Sequence, residues 1–381
     1  MSGRPGRLPC QRERFDIPAD VAYFNCAYMS PLPRSVREAG ERAAGTKSRP
    51  WEIRPADFFE ATDRARDAFA RLLGAEPAGV AVIPSASYGM ATAARNTPLA
   101  RGQRVLMLDG EFPSTIYAWR ARAEVAGAEA VLLPRPEDHD WTRVVLSAID
   151  ERTGAAALPH CHWTDGALLD LPAIAGRLRD AGAVLALDVT QSLGVLPFDF
   201  AGVEPDWLVT AAYKWLLGPY SVGFLYAAPG RRDGDPLELT WMAREGSEDF
   251  SSLVQYQEGF QPGARRYDVG EASNFGLLPM AVEALRQIVE WGVPQIQAAV
   301  GDLVEAIVAG AEPLGYRAVP RTLRAGHYLG LRREGGLPPD LADRLTTRRI
   351  YASVRGDALR VTPHLYNDGR DVTRLLDALA E

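Results

Sequence analysis

The sequence predicts an α/β protein: a large domain with a mostly parallel central sheet, followed by a smaller α+β C-terminal domain. Three observations predict it. Between Val80 and Tyr226, short apolar runs alternate with helix-like segments, the pattern of a parallel sheet covered by helices on both faces. Ser85, Ser87, Glu111, Phe112, His160, His162, Asp188 and Lys214 all follow the carboxyl ends of those runs, the edge at which open α/β sheets bind ligands. Towards the C-terminus the alternation stops, which separates a domain over 285–381 from one over 15–284.

Residues 1–14 carry Arg4, Arg7, Arg12 and Arg14 among Pro5, Gly6 and Pro9. With no apolar core they read as a flexible, solvated tail and not as a signal peptide. Tyr23 to Pro33 is a connector, and Pro33 opens a helix over Ser35–Ala44. An amphipathic helix over Ala56–Leu73 stops at Gly74. The strands expected next are Val80–Ile83, Arg104–Leu108, Ala155–Leu158, Val184–Leu187, Trp207–Thr210 and Val222–Tyr226. Helices run from Ser85 through Ala94, on from Pro113 through Glu124, and over Leu171–Ala181. Ala228–Gly270 is irregular, and its aromatic content argues against disorder. Helices near Leu277–Trp291 and Pro294–Ala311 and a strand at Tyr328–Leu331 follow.

Apolar residues make up 47% of the 381, enough for a large core. A net charge of −7 gives no reason to expect nucleic acid or an anionic membrane as partner. No apolar run approaches membrane-spanning length. Cys10, Cys26 and Cys161 are too few for a disulfide framework and lack metal-ligand spacing, which fits a reducing cytoplasm.

Asp188 and Lys214 each stand just past the end of an apolar strand. A carboxylate and a lysine on one rim suit pyridoxal phosphate, which is held as a Schiff base on a lysine while an acid keeps its ring nitrogen protonated. Lys214 alone would read as a surface lysine; the ordered set carries the argument. That set is Asp188-Val189-Thr190-Gln191-Ser192, then Asp206, Tyr213-Lys214-Trp215 and Gly218-Pro219-Tyr220-Ser221-Val222-Gly223. It resembles the active-site region of fold-type I pyridoxal-phosphate enzymes, and most of all the class V aminotransferases, which include cysteine desulfurases, isopenicillin N epimerase and kynureninase. The resemblance runs from about Phe15 to the end of the chain. It implies Lys214 for the Schiff base, Asp188 for the pyridine nitrogen, Gln191 for the ring hydroxyl, and a homodimer with the site at the subunit interface.

Ser85-Ala86-Ser87 marks a helix start where free amides and hydroxyls can take a phosphate; taken alone, Ser85 reads as an N-cap. Phe112 lies where relatives often place a ring that stacks on the cofactor. Cysteine desulfurases have a serine where this chain has Ala211, so Thr210 is the expected substitute donor. At Gly270-Glu271-Ala272-Ser273 relatives carry a threonine that reaches the partner's phosphate. Glu271 would repel phosphate, which leaves Ser273 or Asn274. Asn25 and Tyr28 are the substrate-facing candidates of the N-terminal segment. Arg360, in Leu359-Arg360-Val361-Thr362-Pro363, matches the arginine that grips the substrate α-carboxylate with paired hydrogen bonds. His160 and His162 are acid–base candidates, and Trp163-Thr164-Asp165 replaces an asparagine common in relatives.

The resemblance implies an enzyme acting at the α-carbon of an amino acid or close amine, first of all an aminotransferase. β-Elimination, such as C–S cleavage, and racemisation begin from the same carbanion and stay open. Persulfide formation is disfavoured because no cysteine follows Cys161. A dehydrogenase would need a Gly-x-Gly-x-x-Gly turn after a strand, and none is present. A non-catalytic relative is opposed by the intact Asp188, Gln191 and Lys214.

Overall fold

The computed structural model describes residues 8–381. The chain runs through β1 (Ala22–Tyr23), α1 (Arg34–Lys47), α2 (Asp57–Leu73), β2 (Val80–Ile83), α3 (Ala86–Arg95), β3 (Arg104–Leu108), α4 (Pro113–Ala126) and β4 (Glu129–Leu133). It continues through α5 (Trp141–Ala148), β5 (Thr153–Pro159), α6 (Leu171–Asp180), β6 (Val184–Asp188), α7 (Phe200–Val203), β7 (Trp207–Ala211) and β8 (Gly223–Ala227). The large sheet has seven strands in the order β2-β8-β7-β6-β5-β3-β4. From β4 to β7 every neighbour pairs in parallel. β8 returns antiparallel between β7 and β2, because the connection over 212–222 holds no crossover helix.

The pleat sorts the strand residues onto two cores. Ala81, Ile83, Val105, Met107, Ala155, Ala157 and Val209 pack with α3 and α4 on one face. Val80, Val82, Leu106, Leu108, Ala156 and Leu158 pack with α2 and α6 on the other. Burying a side chain such as Leu108 fully contributes about 1.5–3 kcal/mol. The helices end where the sequence dictates: Gly74 closes α2 with a φ of 78°, a left-handed conformation that suits glycine. β4 and α5 were not expected. β4 is an edge strand of only five residues, and α5 spans eight behind an Asp140 cap.

Apart from an isolated bridge between Arg244 and Phe260, residues 228–270 hold only short 3₁₀ turns. Beyond them come α8 (Leu278–Trp291), α9 (Val293–Ala311), β9 (Tyr316–Arg317), β10 (Leu329–Arg333), α10 (Leu341–Thr347), β11 (Ile350–Tyr351), β12 (Ser353–Arg355), β13 (Ala358–Val361) and α11 (Gly369–Leu379). A four-stranded antiparallel sheet, β12-β13-β10-β9, shares a core with α9 and α11 through Val304, Ile307, Leu331 and Leu375.

The N-terminal segment differs from expectation. β1 pairs in parallel with β11, and Ala22 and Phe24 belong to the C-terminal core. Of the expected flexible tail, 1–7 lie outside the described residues, and the remainder is not free. The Gln11 amide donates to the Leu365 carbonyl. Arg12 donates to the carbonyls of Tyr366, Pro18 and Val21 and to Asp371. A guanidinium has five donors in a fixed fork, and here one residue uses them to pin the segment to the far end of the chain. Among the described residues no helix is long and apolar enough to cross a membrane.

Candidate active site

The carboxyl ends of β2, β3, β5, β6 and β7 and the start of β8 enclose a cavity of about 420 Å³. That is ample for a small cofactor. The turn after β2 supplies Ser85, Ala86 and Ser87; the turn after β3 supplies Glu111 and Phe112; Trp163 follows β5. Asp188, Thr190 and Gln191 close β6, and Tyr213 and Lys214 follow β7.

Ser85 is the N-cap of α3. Its hydroxyl accepts from the Tyr88 amide at 3.2 Å and meets the Ser87 hydroxyl at 2.8 Å. The cap reading therefore holds for Ser85 itself. The Ala86 and Ser87 amides belong to the first turn, which leaves donors without helical partners, and the Ser87 hydroxyl adds another.

Lys214 is 7% exposed, and burial pulls its ammonium down to about 8 against the opposing charge of Asp188. Arg360 and Arg355 push in the same direction as burial. Its Nζ lies 5.5 Å from the ring centres of both Phe112 and Tyr213. Burial raises the Asp188 carboxyl, while Thr190 and Lys214 draw it back down. The Thr190 amide donates to Asp188 Oδ1 at 2.9 Å, which fixes the carboxylate at the end of β6. Phe112 stands edge-on to Trp163 with ring centres 5.7 Å apart.

Gln191 lines the cavity with its amide oriented by two partners. Nε2 donates to the Ala27 carbonyl at 3.2 Å, and Oε1 accepts from Trp215 Nε1 at 3.1 Å. One N–H of the amide remains for a ligand.

Five expected residues stand elsewhere. Thr210 is buried outside the cavity lining, with its hydroxyl turned to the Ala211 carbonyl. Within this chain Ser273 Oγ meets Met242 Sδ, and Asn274 caps the start of α8 through the Gly276 and Leu277 amides. His160 packs edge-on against Phe198, with burial holding it down at about 4. His162 stacks on Trp141 and sits beside Arg135, Thr164 and Asp165; burial and Arg135 hold it down at about 4. Both rings are neutral near pH 7, as buried packing residues are.

The N-terminal segment closes one side. Ser353 Oγ donates to Asn25 Oδ1 at 2.8 Å, and Ser30 bonds the Tyr213 carbonyl through its amide at 3.0 Å. Tyr28 is 54% exposed. Arg360 is buried, with Nη1 donating to the Trp163 carbonyl at 3.3 Å and Nε without an acceptor. Tyr328 donates to the same carbonyl.

Sequence reasoning gave Glu111 no role, yet it is 7% exposed in the cavity wall. Its Oε1 accepts from the Phe112 amide at 2.6 Å, its Oε2 has no partner, and burial pushes the carboxyl up to about 8. Its place past β3 was the available signal. Thr190, Tyr220 and Ser221 stood in the ordered set without a role of their own and line the cavity; Ser221 takes a φ of 64° at the turn into β8.

The donor set fits pyridoxal phosphate. A buried amine of lowered basicity and a fixed buried carboxylate face the same cavity, a helix start provides amides for an anion, and a ring stands beside the amine. Among the described residues no cluster of side chains suits a metal ion.

Comparison with known proteins agrees with this geometry. Residues 30–357 match the family model for class-V aminotransferases. The chain is 28% identical over 342 residues to the uncharacterized aminotransferase YcbU of Bacillus subtilis, covering 85% of this chain and 84% of the relative. It is 26% identical to isopenicillin N epimerase of Streptomyces clavuligerus over 393 aligned positions, covering 97% and 96%. In fold it is similar to a cysteine desulfurase from Thermococcus onnurineus, with a TM-score of 0.84 at 18% identity over 97% of this chain and 96% of the other.

Proposed function

The chain belongs to the class-V aminotransferase family of pyridoxal-phosphate enzymes, and from that premise we propose that it acts at the α-carbon of an amino acid as an aminotransferase. The observation that carries the proposal is the facing of Lys214 and Asp188 across one cavity at the strand ends of a parallel sheet. When bound, pyridoxal phosphate supplies an electron sink for charge developing at the α-carbon.

The residues divide the work. Lys214 Nζ is the attachment point, and its lowered basicity leaves the amine neutral often enough near pH 8 to take and return the α-proton. Asp188, held by Thr190, presents negative charge to the ring nitrogen. The start of α3 and the Ser87 hydroxyl hold the phosphate. The free N–H of Gln191 would meet the ring hydroxyl, and Phe112 would supply an apolar wall for the ring. Arg360, buried and without a carboxylate partner among the described residues, takes the substrate α-carboxylate. Asn25 and Tyr28 lie on the substrate side.

The active form is a homodimer in which Ser273 or Asn274 reaches the partner's phosphate. Val254 and Tyr256, 81% and 91% exposed in the irregular stretch, support a surface that a second copy covers. Sedimentation of the active enzyme at monomer mass would refute the dimer.

The test of reaction is a screen of amino acids with keto-acid acceptors and product identification by mass spectrometry. A new keto acid with matched amino-group gain by the acceptor is the expected result. Ammonia with a keto acid and no acceptor requirement would mean elimination, and an inverted α-carbon alone would mean racemisation.

A further inference from the structure

The hairpin that carries Arg360 carries a second cation that the proposed reaction does not use. β12 and β13 pair with Ser353 opposite Arg360 and Arg355 opposite Ala358. Opposed residues share a face, so Arg355 and Arg360 are diagonal neighbours, about 7–8 Å apart at their bases. It is the face from which Ser353 bonds Asn25.

Neither guanidinium has a carboxylate partner among the described residues. Arg355 donates to the Val354 carbonyl at 2.8 Å and Arg360 to the Trp163 carbonyl at 3.3 Å. Arg360 is 2% exposed with Nε unpartnered. The carboxylate in the same turn, Asp357, is bound to Arg332 at 2.9 Å. Two like charges stand together without a counter-ion: partial burial and Arg360 both disfavour the charge on Arg355, and Tyr328 and Tyr28 are its other electrostatic neighbours. Arg360 Nη1 bonds the carbonyl of Trp163, a residue of the cavity wall, which sets the pair beside the cavity; both cations also disfavour the charge on Lys214. A single carboxylate fills one guanidinium fork. Two forks on one face, each without an anion, match two anionic groups joined by a short chain.

We infer that Arg355 anchors a second anionic group, so that the substrate is a short amino acid with an acidic side chain, of aspartate or glutamate size. The inference rests on Arg360 holding the α-carboxylate. Residues that hold the α-carboxylate alone would select amino acids in general; Arg355 would select among them.

The test is calorimetric titration of the cofactor-loaded enzyme with propionate and glutarate, which lack an amine and cannot react with the cofactor. Glutarate is expected to bind more tightly. Arg355→Gln should weaken glutarate at least about tenfold more than propionate, and Arg355→Lys should restore part of the difference. Equal weakening of both ligands would show that the two arginines share one carboxylate, and no weakening of either would leave Arg355 a solvated cation; both results overturn the inference. Arg360→Gln separates the premise: if it leaves both ligands unaffected, the α-carboxylate reading fails first and the inference falls with it. Among the described residues the Arg355 side chain makes one hydrogen bond, to its own neighbour's carbonyl, so Arg355→Gln is expected to fold; retained cofactor absorbance checks this.

Discussion

Asp188 and Lys214 set each other's charge. Burial favours the neutral amine on Lys214, and Asp188 opposes it. The cofactor-free protein should therefore capture pyridoxal phosphate with a rate that rises as pH passes about 8, well below the range of an ordinary lysine. Borohydride trapping and peptide mapping should place the label on Lys214. In Asp188→Asn the midpoint should fall further, because a negative charge that favoured the ammonium is gone; an unchanged midpoint would separate the two residues. Turnover in that variant should drop by orders of magnitude, since each ~1.4 kcal/mol on a barrier is about tenfold in rate. Arg360→Ala should weaken α-amino acids far more than amines without a carboxylate. Arg265 and Arg266 offer no replacement anchor, being paired with Asp63 and Asp233. Steady-state kinetics with an amino acid and its decarboxylated amine checks this. At this scale the sequence was informative where chemistry coincides with a strand end, as at Asp188, Lys214 and Ser87. It put Glu111 on the binding edge but gave it no role, because its significance is burial with an unpartnered oxygen, a property of the packed site and not of local sequence.

The turns that join strand to helix place the chemistry. Ser85 shows how one residue can be read two ways: its hydroxyl caps α3, and the amides it leaves behind face the cavity. Ser85→Ala should cost about 1 kcal/mol of stability, measured by denaturant unfolding. Cofactor affinity should fall less than in Ser87→Ala, because the Ser85 oxygen is already engaged; the reverse order would make Ser85 the phosphate ligand. The long strands and helices were legible because period and caps agree there. β4 and α5 were missed because an edge strand of five residues and a helix of eight give too little pattern. Arg12 and β1 were missed for another reason: their partners, Asp371 and β11, lie at the opposite end of the chain, beyond any local window.

At the scale of the molecule, buried histidines govern behaviour in acid. Burial holds His160 and His162 down at about 4 and His327 and His364 at about 3. Their folded pKa values lie below the unfolded one, so the stability they contribute is present above about pH 6.5 and is lost as pH falls towards 4 and 3. Unfolding followed by fluorescence should show steep loss of stability below pH 6; a flat profile down to pH 4 would mean that these rings accept protons without opening the core. The stitch between the N-terminal segment and the C-terminal sheet has a consequence for biosynthesis. Asn25 waits for Ser353, 328 residues later, and Arg12 for Asp371, 359 residues later. A ribosome delivers the large sheet, with Lys214 and Asp188 in place, long before those partners exist. While the chain is still growing, the segment that covers Tyr213 and Gln191 lacks its anchor, and the cavity is open on that side. Synthesis of the C-terminal sheet is then the event that anchors that side of the site, so the nascent chain and the finished protein meet the cofactor with different walls.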